Sequence, residues 1–498
     1  MPSDKTFFGH PRGLATLFFT EMWERFSYYG MRAMLMLFMV ATVQEGGLGF
    51  DEKTAGAIYG LYTMFVYLLA LPGGWLADKF FGLRKSVFYG GCIIALGHLC
   101  LAFPFTETFF LGLLFIMLGT GMLKPTISSL VGELYPASEP AKRDAGFSIF
   151  YMGINIGGFI SPLIVGPLRA HSWHYGFAAA GIGMVLGLIQ YKLTERHLGD
   201  AGLYPEQLAD ATQQQKRDRN IRNALIAFVV VLATFVGLMM TRVVAINPIF
   251  IGQASGVILI VSAVAYFLYL MFFTGQDADG RKKLVALAIF FLASALFYSG
   301  YEQQGSSLNL FAERYTDLHI GTFKIPAEWF QSVPSAVVFT FVPLFAWLWV
   351  WLGKRKLNPM TPVKISLGPL FTALGFAMMM LGSLVVARGE LASPWWLILT
   401  FTFHTFGEIC LYPTGMSATT KMAPKNLVGQ LMGIWFMSLA FGNLVAGLYA
   451  GEFDAKAINA NPGLLVDLFG YFTKIMLVAG LILLVLYKPI RKLMGNVN

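Results

Sequence analysis

Stretches of about 20 predominantly apolar residues recur from one end of this 498-residue chain to the other, each long enough to cross a hydrocarbon layer about 30 Å thick. Nothing else in the sequence constrains the fold as much. A segment in lipid has no water for its peptide groups, so it closes its hydrogen bonds internally, as a helix, or within a closed barrel. Continuous apolar runs of this length read as helices. They fall near residues 13–43, 54–78, 86–105, 107–132, 144–168, 173–192, 222–241, 245–274, 283–312, 326–352, 362–386, 394–422, 426–450 and 464–488, which makes fourteen spans. A chain that is 56% hydrophobic and 13% charged, with a mean hydropathy of +0.63, is excluded from the ordinary soluble globules. The expected fold is an all-α membrane protein.

The net charge of +9 does not point to a nucleic-acid partner, because its distribution has another meaning. With the N-terminus inside, roughly 25 of the 36 Lys and Arg lie on one side of the membrane, the pattern that places both termini in the cytoplasm. The polar start, Met1 to Arg12, has no small-residue cleavage site ahead of the first span and is not expected to be a cleaved signal. Cys92, Cys100 and Cys410 fall in apolar spans and are expected to be buried small hydrophobes, with no disulfide or metal spacing.

Seven ionisable side chains sit inside the spans: Glu21, Glu24, Arg25 and Arg32 on the first, then Lys124, Glu302 and Glu408 alone on three others. A charge at the centre of a bilayer costs about 2.5–3.5 kcal/mol on insertion scales and persists where it faces a watery cavity or a partner. The longest loop, Thr194 to Arg222, divides the chain. The following spans, 222–241 and 245–274, carry no charge except Arg242 between them and read as a lipid-facing pair. Without that pair, six helices remain in each half, and the seven charges occupy helices one, four, seven and ten. Each is the first of a three-helix unit, the arrangement of inverted-repeat transporters whose site lies at the midplane. The expected organisation is a six-helix bundle over 1–192, a cytoplasmic linker over 193–221 with a short amphipathic helix, an extra pair over 222–275 and a second six-helix bundle over 276–498.

Glu21, Arg25, Tyr28 and Arg32 are spaced i, i+4, i+7 and i+11 and form one stripe, flanked by Glu24 and Tyr29. The first half supplies the cations Arg25, Arg32 and Lys124, and the second supplies only Glu302 and Glu408. Four carboxylates against three bases leave one over, which suits proton coupling. A zwitterionic ligand would set its anionic group against the bases and its amine against a glutamate; a simple sugar has no use for such a site. Tyr67, Asn155 and Trp435 are candidates for side-chain pockets. Pro72, Pro125, Pro162, Pro334 and Pro413 read as mid-helix prolines, and Asp78 with Arg84 as a cytoplasmic charge latch. Lys474 is expected to snorkel and His404 to pack. No nucleophile or metal constellation suggests an enzyme.

At these residues the chain resembles the proton-dependent oligopeptide transporter family of the major facilitator superfamily. Glu21-x-x-Glu24-Arg25-Phe26-Ser27-Tyr28-Tyr29-Gly30-Met31-Arg32 resembles the family's first-helix motif, and Gly119-Thr120-Gly121-Met122-Leu123-Lys124-Pro125 its fourth. The run Phe147 to Gly157, the segment Glu302-Gln303-x-Gly305-Ser306, and Gly407-Glu408 with Pro413-x-Gly415 extend the match to about Asn443. The resemblance implies the major facilitator fold and a proton-driven symporter of di- and tripeptides in the cell inner membrane. Such a protein is expected to act as a monomer and to need no cofactor. By the same resemblance Glu21, Glu24, Arg25 and Glu302 take part in proton coupling. Arg25, Lys124 and Asn155 meet the peptide carboxylate and Glu408 its amine, within a pocket that includes Tyr29, Arg32, Tyr67, Tyr298 and Trp435. Arg32 with Glu302, and Lys124 with Glu408, are the implied gating pairs. Three departures stand out: Thr126 for the usual Asn, Tyr298 for a common Trp, and Pro334-Ser335 for Asn-Pro. A porter of another amphoteric small molecule or drug is the alternative.

Overall fold

A computed structural model describes residues 6–136, 138–241, 246–424 and 427–495; Arg242 lies outside them. The first helices are α1 Gly13–Val40, α2 Glu52–Leu68, α3 Ala70–Leu76, α4 Leu83–Leu101, α5 Thr106–Glu133, α6 Pro140–Arg169, α7 Trp173–Thr194, α8 Ala211–Met240 and α9 Pro248–Phe273. They continue as α10 Ala278–Tyr301, α11 Ser307–Tyr315, α12 Val333–Lys354, α13 Thr361–Val386, α14 Trp395–Met422, α15 Val428–Ala450, α16 Ala455–Ala460, α17 Gly463–Val485 and α18 Tyr487–Met494. A short antiparallel hairpin pairs β1, His319–Ile320, with β2, Phe323–Lys324.

Among the described residues, eleven helical segments are long and apolar enough to cross a membrane. The other three long helices are α1, α4 and α14, and their polar content explains the difference. Glu21, Glu24, Arg25 and Arg32 interrupt α1, Arg84 and Lys85 open α4, and His404, Glu408 and Lys421 lie in α14. With these three, the fourteen expected spans are present. Only 6% of the apolar window of α8 and 22% of that of α9 is buried, against 61% in α15. The apolar windows of this pair are therefore mostly exposed.

Several local expectations need correction. The second span breaks at Leu69, so Pro72 stands in the first turn of α3. A 3₁₀ turn over Ala327–Ser332 precedes α12, which puts Pro334 at the helix start, where its missing N–H removes no helical hydrogen bond. Pro125, Pro162 and Pro413 do lie inside their helices. The linker holds no separate amphipathic helix. Apart from a 3₁₀ turn at Glu195–Leu198, its helical part is the start of α8, capped by the Asp210 carboxylate, which accepts from Thr212 N at 2.7 Å. Cys92 is exposed rather than buried, and Cys410 is buried as expected. Lys474 is exposed, and His404 is fully buried with its ring 4.8 Å from that of Phe376.

By contact, the chain forms two compact units. The first comprises Met1–Met31, Leu68–Gly157 and His174–Ile251, and the second Arg32–Tyr67, Gly158–Trp173 and Gly252–Asn498. In the first unit, Gly157 of α6 meets α1 so closely that a Cβ there would lie 2.3 Å from Met22 O. In the second, Gly56 and Gly60, one turn apart on α2, meet Gly447 of α15, where a Cβ would lie 2.3 Å from Gly60 Cα. Small residues at such spacing let helix backbones approach where lipid offers no hydrophobic drive to associate. A buried cluster that includes Phe290, Phe297, Tyr298, Leu411 and Trp435 forms much of that unit's interior.

Candidate functional site

The first unit holds a charge cluster built on two turns of α1. Arg25 Nε lies 3.1 Å from Glu21 Oε1 and 2.5 Å from Glu24 Oε2, and its guanidinium lies 5.2 Å from the centroid of the Tyr28 ring. All three charged residues are at most 3% exposed. Helical geometry brings positions i and i+4 together, so the cluster needs no distant element to form. Two carboxylates share one guanidinium, and among the described residues Glu21 Oε2, Glu24 Oε1 and Arg25 Nη2 have no hydrogen-bond partner. Lys124 lies on α5, directly before Pro125, in the same unit as the cluster. Asn155 of α6 is buried and donates from Nδ2 to Tyr151 O at 3.0 Å. The Tyr29 ring stands edge-on to that of Tyr28, 5.4 Å between centroids.

The expected latch takes a different form. Among the described residues no ion pair joins Asp78 to Arg84. Arg84 instead donates from Nε to Ala201 O at 2.6 Å and from Nη2 to Gly199 O, both in the linker. Glu206 N donates to Asp78 O at 2.8 Å, and Lys79 pairs with the Glu206 carboxylate. That hydrogen bond from Lys79, with the Lys79 charge, holds the Glu206 carboxyl below the usual range. Gly202 N adds a 2.6 Å bond to Glu133 Oε2 at the end of α5. Residues 199–206 are thus strapped to the ends of helices of their own unit, largely by backbone groups that side-chain motifs do not reveal.

The second unit brings together residues far apart in sequence. Arg32 Nη2 pairs with Glu302 Oε2, and Arg32 Nε donates to the Tyr59 hydroxyl at 2.7 Å. Glu302 opens a 3₁₀ turn, Glu302–Gly305, that interrupts the expected span 283–312 between α10 and α11. Such a turn within a longer helical run changes the direction of the carboxylate and offers a hinge. Gly305 is required there, because a Cβ would lie 2.0 Å from the Tyr59 hydroxyl. Asn309 Nδ2 donates to Ala33 O at 2.7 Å and secures the neighbouring turn.

Glu408 on α14 is half-buried and accepts from the Tyr301 hydroxyl at 2.6 Å. Tyr298, one turn before Tyr301, is 2% exposed, and the two rings meet edge-on. Trp435 is buried, with its Nε1 lacking a hydrogen-bond partner among the described residues, and Tyr67 packs against the same cluster.

Sequence reasoning missed Tyr59, which carries no signal apart from its contact with Arg32. It also missed a network at helix ends. Arg169 reaches Glu313 and Glu328, each at 2.9 Å, and Arg314 reaches Glu52 at 2.8 Å. These charges look like solvated span ends in the sequence, yet Glu328 is fully buried.

The family model described as the POT family matches residues 84–462, and the chain belongs to that family. It is similar to the peptide transporter YePEPT of Yersinia enterocolitica, 41% identical over 99% of this chain and 97% of the relative. It is also similar to a di-/tripeptide transporter of Lactococcus lactis subsp. cremoris, 38% identical over 100% of this chain and 99% of that one. The crystal structure of the peptide transporter POT in complex with sulfate superposes with a TM-score of 0.90 at 38% identity, covering 99% of this chain and 98% of that one. The fold is the major facilitator fold, the protein passes the membrane many times, and its work is carriage rather than catalysis.

Proposed function

We propose that this protein is a proton-coupled symporter that imports di- and tripeptides by alternating access. The observation that carries the reading is the buried Glu21–Glu24–Arg25 cluster, where two carboxylates share one guanidinium and keep oxygens without partners. A group of that composition approaches neutrality by taking one proton, so proton uptake changes which ion pairs it holds. The names of the Yersinia and Lactococcus relatives support a peptide substrate, and the second of them supports the size limit. In this reading Arg25, Lys124 and Asn155 meet the peptide carboxylate, and Glu408, steered by Tyr301, meets the amine. Tyr29, Tyr67, Tyr298 and Trp435 surround the side chains. Arg32–Glu302 is a gate, and a Lys124–Glu408 pair is a second one at another stage of the cycle. The linker strap around Arg84 takes the place of a simple Asp78–Arg84 latch. The working halves are the six-helix bundles 1–192 and 276–498, joined by 193–221 and the extra pair 222–275. Both termini lie in the cytoplasm, and one copy of the chain suffices.

The test is uptake of a labelled dipeptide into liposomes holding the purified protein. Accumulation above the external concentration under an inward proton gradient, collapsing on addition of a protonophore, is the expected result. Equilibration without accumulation would overturn proton coupling, and no uptake of peptide at all would overturn the substrate class.

A further inference from the structure

A cavity of about 690 Å³ lies among α12, α13, α14 and α18, and none of the residues assigned to peptide or proton above lines it. Ser417 lines it nine residues beyond Glu408, about two and a half helical turns, and so stands on the opposite face of α14. Lys364, Lys421 and Arg491 border the cavity, and none of its lining residues is acidic. The imbalance is regional, since no Asp or Glu occurs in 329–389, 409–451 or 468–498. The Lys364 ammonium sits 4.6 Å from the centroid of the Trp349 ring. The remaining wall is largely apolar, with Phe345, Met360 and Pro413 among its residues.

The surroundings place this cavity at a membrane surface. Arg491 comes from α18, a short amphipathic helix that buries Ile490 and Met494 and exposes Lys488, Arg491 and Lys492. Helices of this kind lie at the headgroup boundary. Only 11% of the apolar window of α12 is buried, so the wall beside the cavity belongs to a helix with much apolar surface turned outward. A soluble anion would satisfy the cations and leave the aromatic wall unused. A neutral lipid would do the reverse. The ligand that uses both carries a phosphate with net negative charge at one end and acyl chains at the other. We propose that this cavity binds the headgroup of an acidic phospholipid from the leaflet on the basic side of the protein.

The experiment compares phosphatidylglycerol with phosphatidylcholine for retention on the detergent-purified full-length protein, read by native mass spectrometry. The parent is expected to retain phosphatidylglycerol selectively, and millimolar inorganic phosphate should not displace it. Basic residues near an anionic lipid surface contribute about fivefold each in affinity, so Lys364→Gln with Arg491→Gln should weaken retention by about 25-fold. The same charge removed at Lys282 and Lys356, which do not line the cavity, should change it by less than about twofold. Equal loss in that control would reduce the effect to a diffuse basic field and overturn the site. Displacement by inorganic phosphate would make the ligand a soluble anion and overturn the lipid assignment, as would equal retention of phosphatidylcholine by the parent. Should the double variant fail to fold, Arg491→Gln on the exposed α18 carries the test alone, with about a fivefold loss expected.

Discussion

The two buried charge groups that share α1 are built on opposite principles. The Glu21–Glu24–Arg25 cluster is local, with both of its ion pairs made within four residues on one helix. The Arg32–Glu302 pair joins residues 270 positions apart and depends on Tyr59, Gly305 and the 3₁₀ break after α10 for its shape. A local cluster with more carboxylate than base can change its protonation without separating any helices. A one-to-one pair between distant segments breaks when those segments part. The first is therefore suited to sensing protons and the second to reporting closure.

The largest effect is expected at the cluster. Glu21→Gln or Glu24→Gln removes the surplus carboxylate and should abolish accumulation of peptide under a proton gradient, while counterflow, which needs no net proton movement, persists. Equal accumulation by both variants and the parent would show that the cluster is packing and not coupling. Next in size is Lys124→Ala. A charge-assisted contact to the peptide carboxylate is worth about 1.5–3 kcal/mol, or roughly ten- to a hundredfold in affinity. The parent should therefore prefer a dipeptide acid over its C-terminal amide by that factor, and the variant should show no preference. An amide that competes as well as the acid in the parent would remove Lys124 and Arg25 from carboxylate recognition.

The two groups also differ in how much of them can be read from the sequence. The cluster is legible because its spacing alone brings its members together: given a helix, Glu21 and Arg25 meet. The fourteen spans are legible for the same reason, since apolar length is a local property. Glu302 is marked as a buried charge by its span, but its partner is not marked. The pairing with Arg32 is implied by family resemblance, and neither Tyr59 nor the 3₁₀ break has a local signature. Arg84 shows the same limit: its acceptors are the backbone carbonyls of Gly199 and Ala201, which every residue possesses. Glu328 is hidden because a glutamate beside the end of an apolar run is ordinarily solvated, and only tertiary packing buries it. Pro334 reads as mid-helix because the apolar run begins about two turns before α12 does, and propensity places helix boundaries less sharply than it places helices.

Breaking the distant pair is expected to have an intermediate effect. Glu302→Gln leaves Arg32 without its counter-ion, and cavity water recovers part of the loss. A net shift of about 1–2 kcal/mol toward the open conformation corresponds to roughly a five- to thirtyfold change in population. A cysteine introduced at Ala33, 1% exposed in this structure, should then be modified faster by a membrane-impermeant reagent, in a background lacking Cys92, Cys100 and Cys410. Unchanged reactivity together with normal transport would mean that the pair does not gate.

The smallest effect sharpens the comparison most. Tyr59→Phe keeps Arg32 and Glu302 but removes the hydroxyl that accepts from Arg32 Nε. A hydrogen bond from a charged group is worth about 1.5–3 kcal/mol when lost outright, but the assay reads only the part that differs between the closed and open conformations, so labelling should move in the same direction as for Glu302→Gln and by less. Accumulation under a proton gradient should survive, because nothing in the local cluster has changed. If Tyr59→Phe abolished accumulation while leaving Ala33→Cys reactivity alone, the distant pair would belong to the coupling machinery and not to closure. The division of labour between the two charge groups would then be wrong, even with every distance around Arg32 as described.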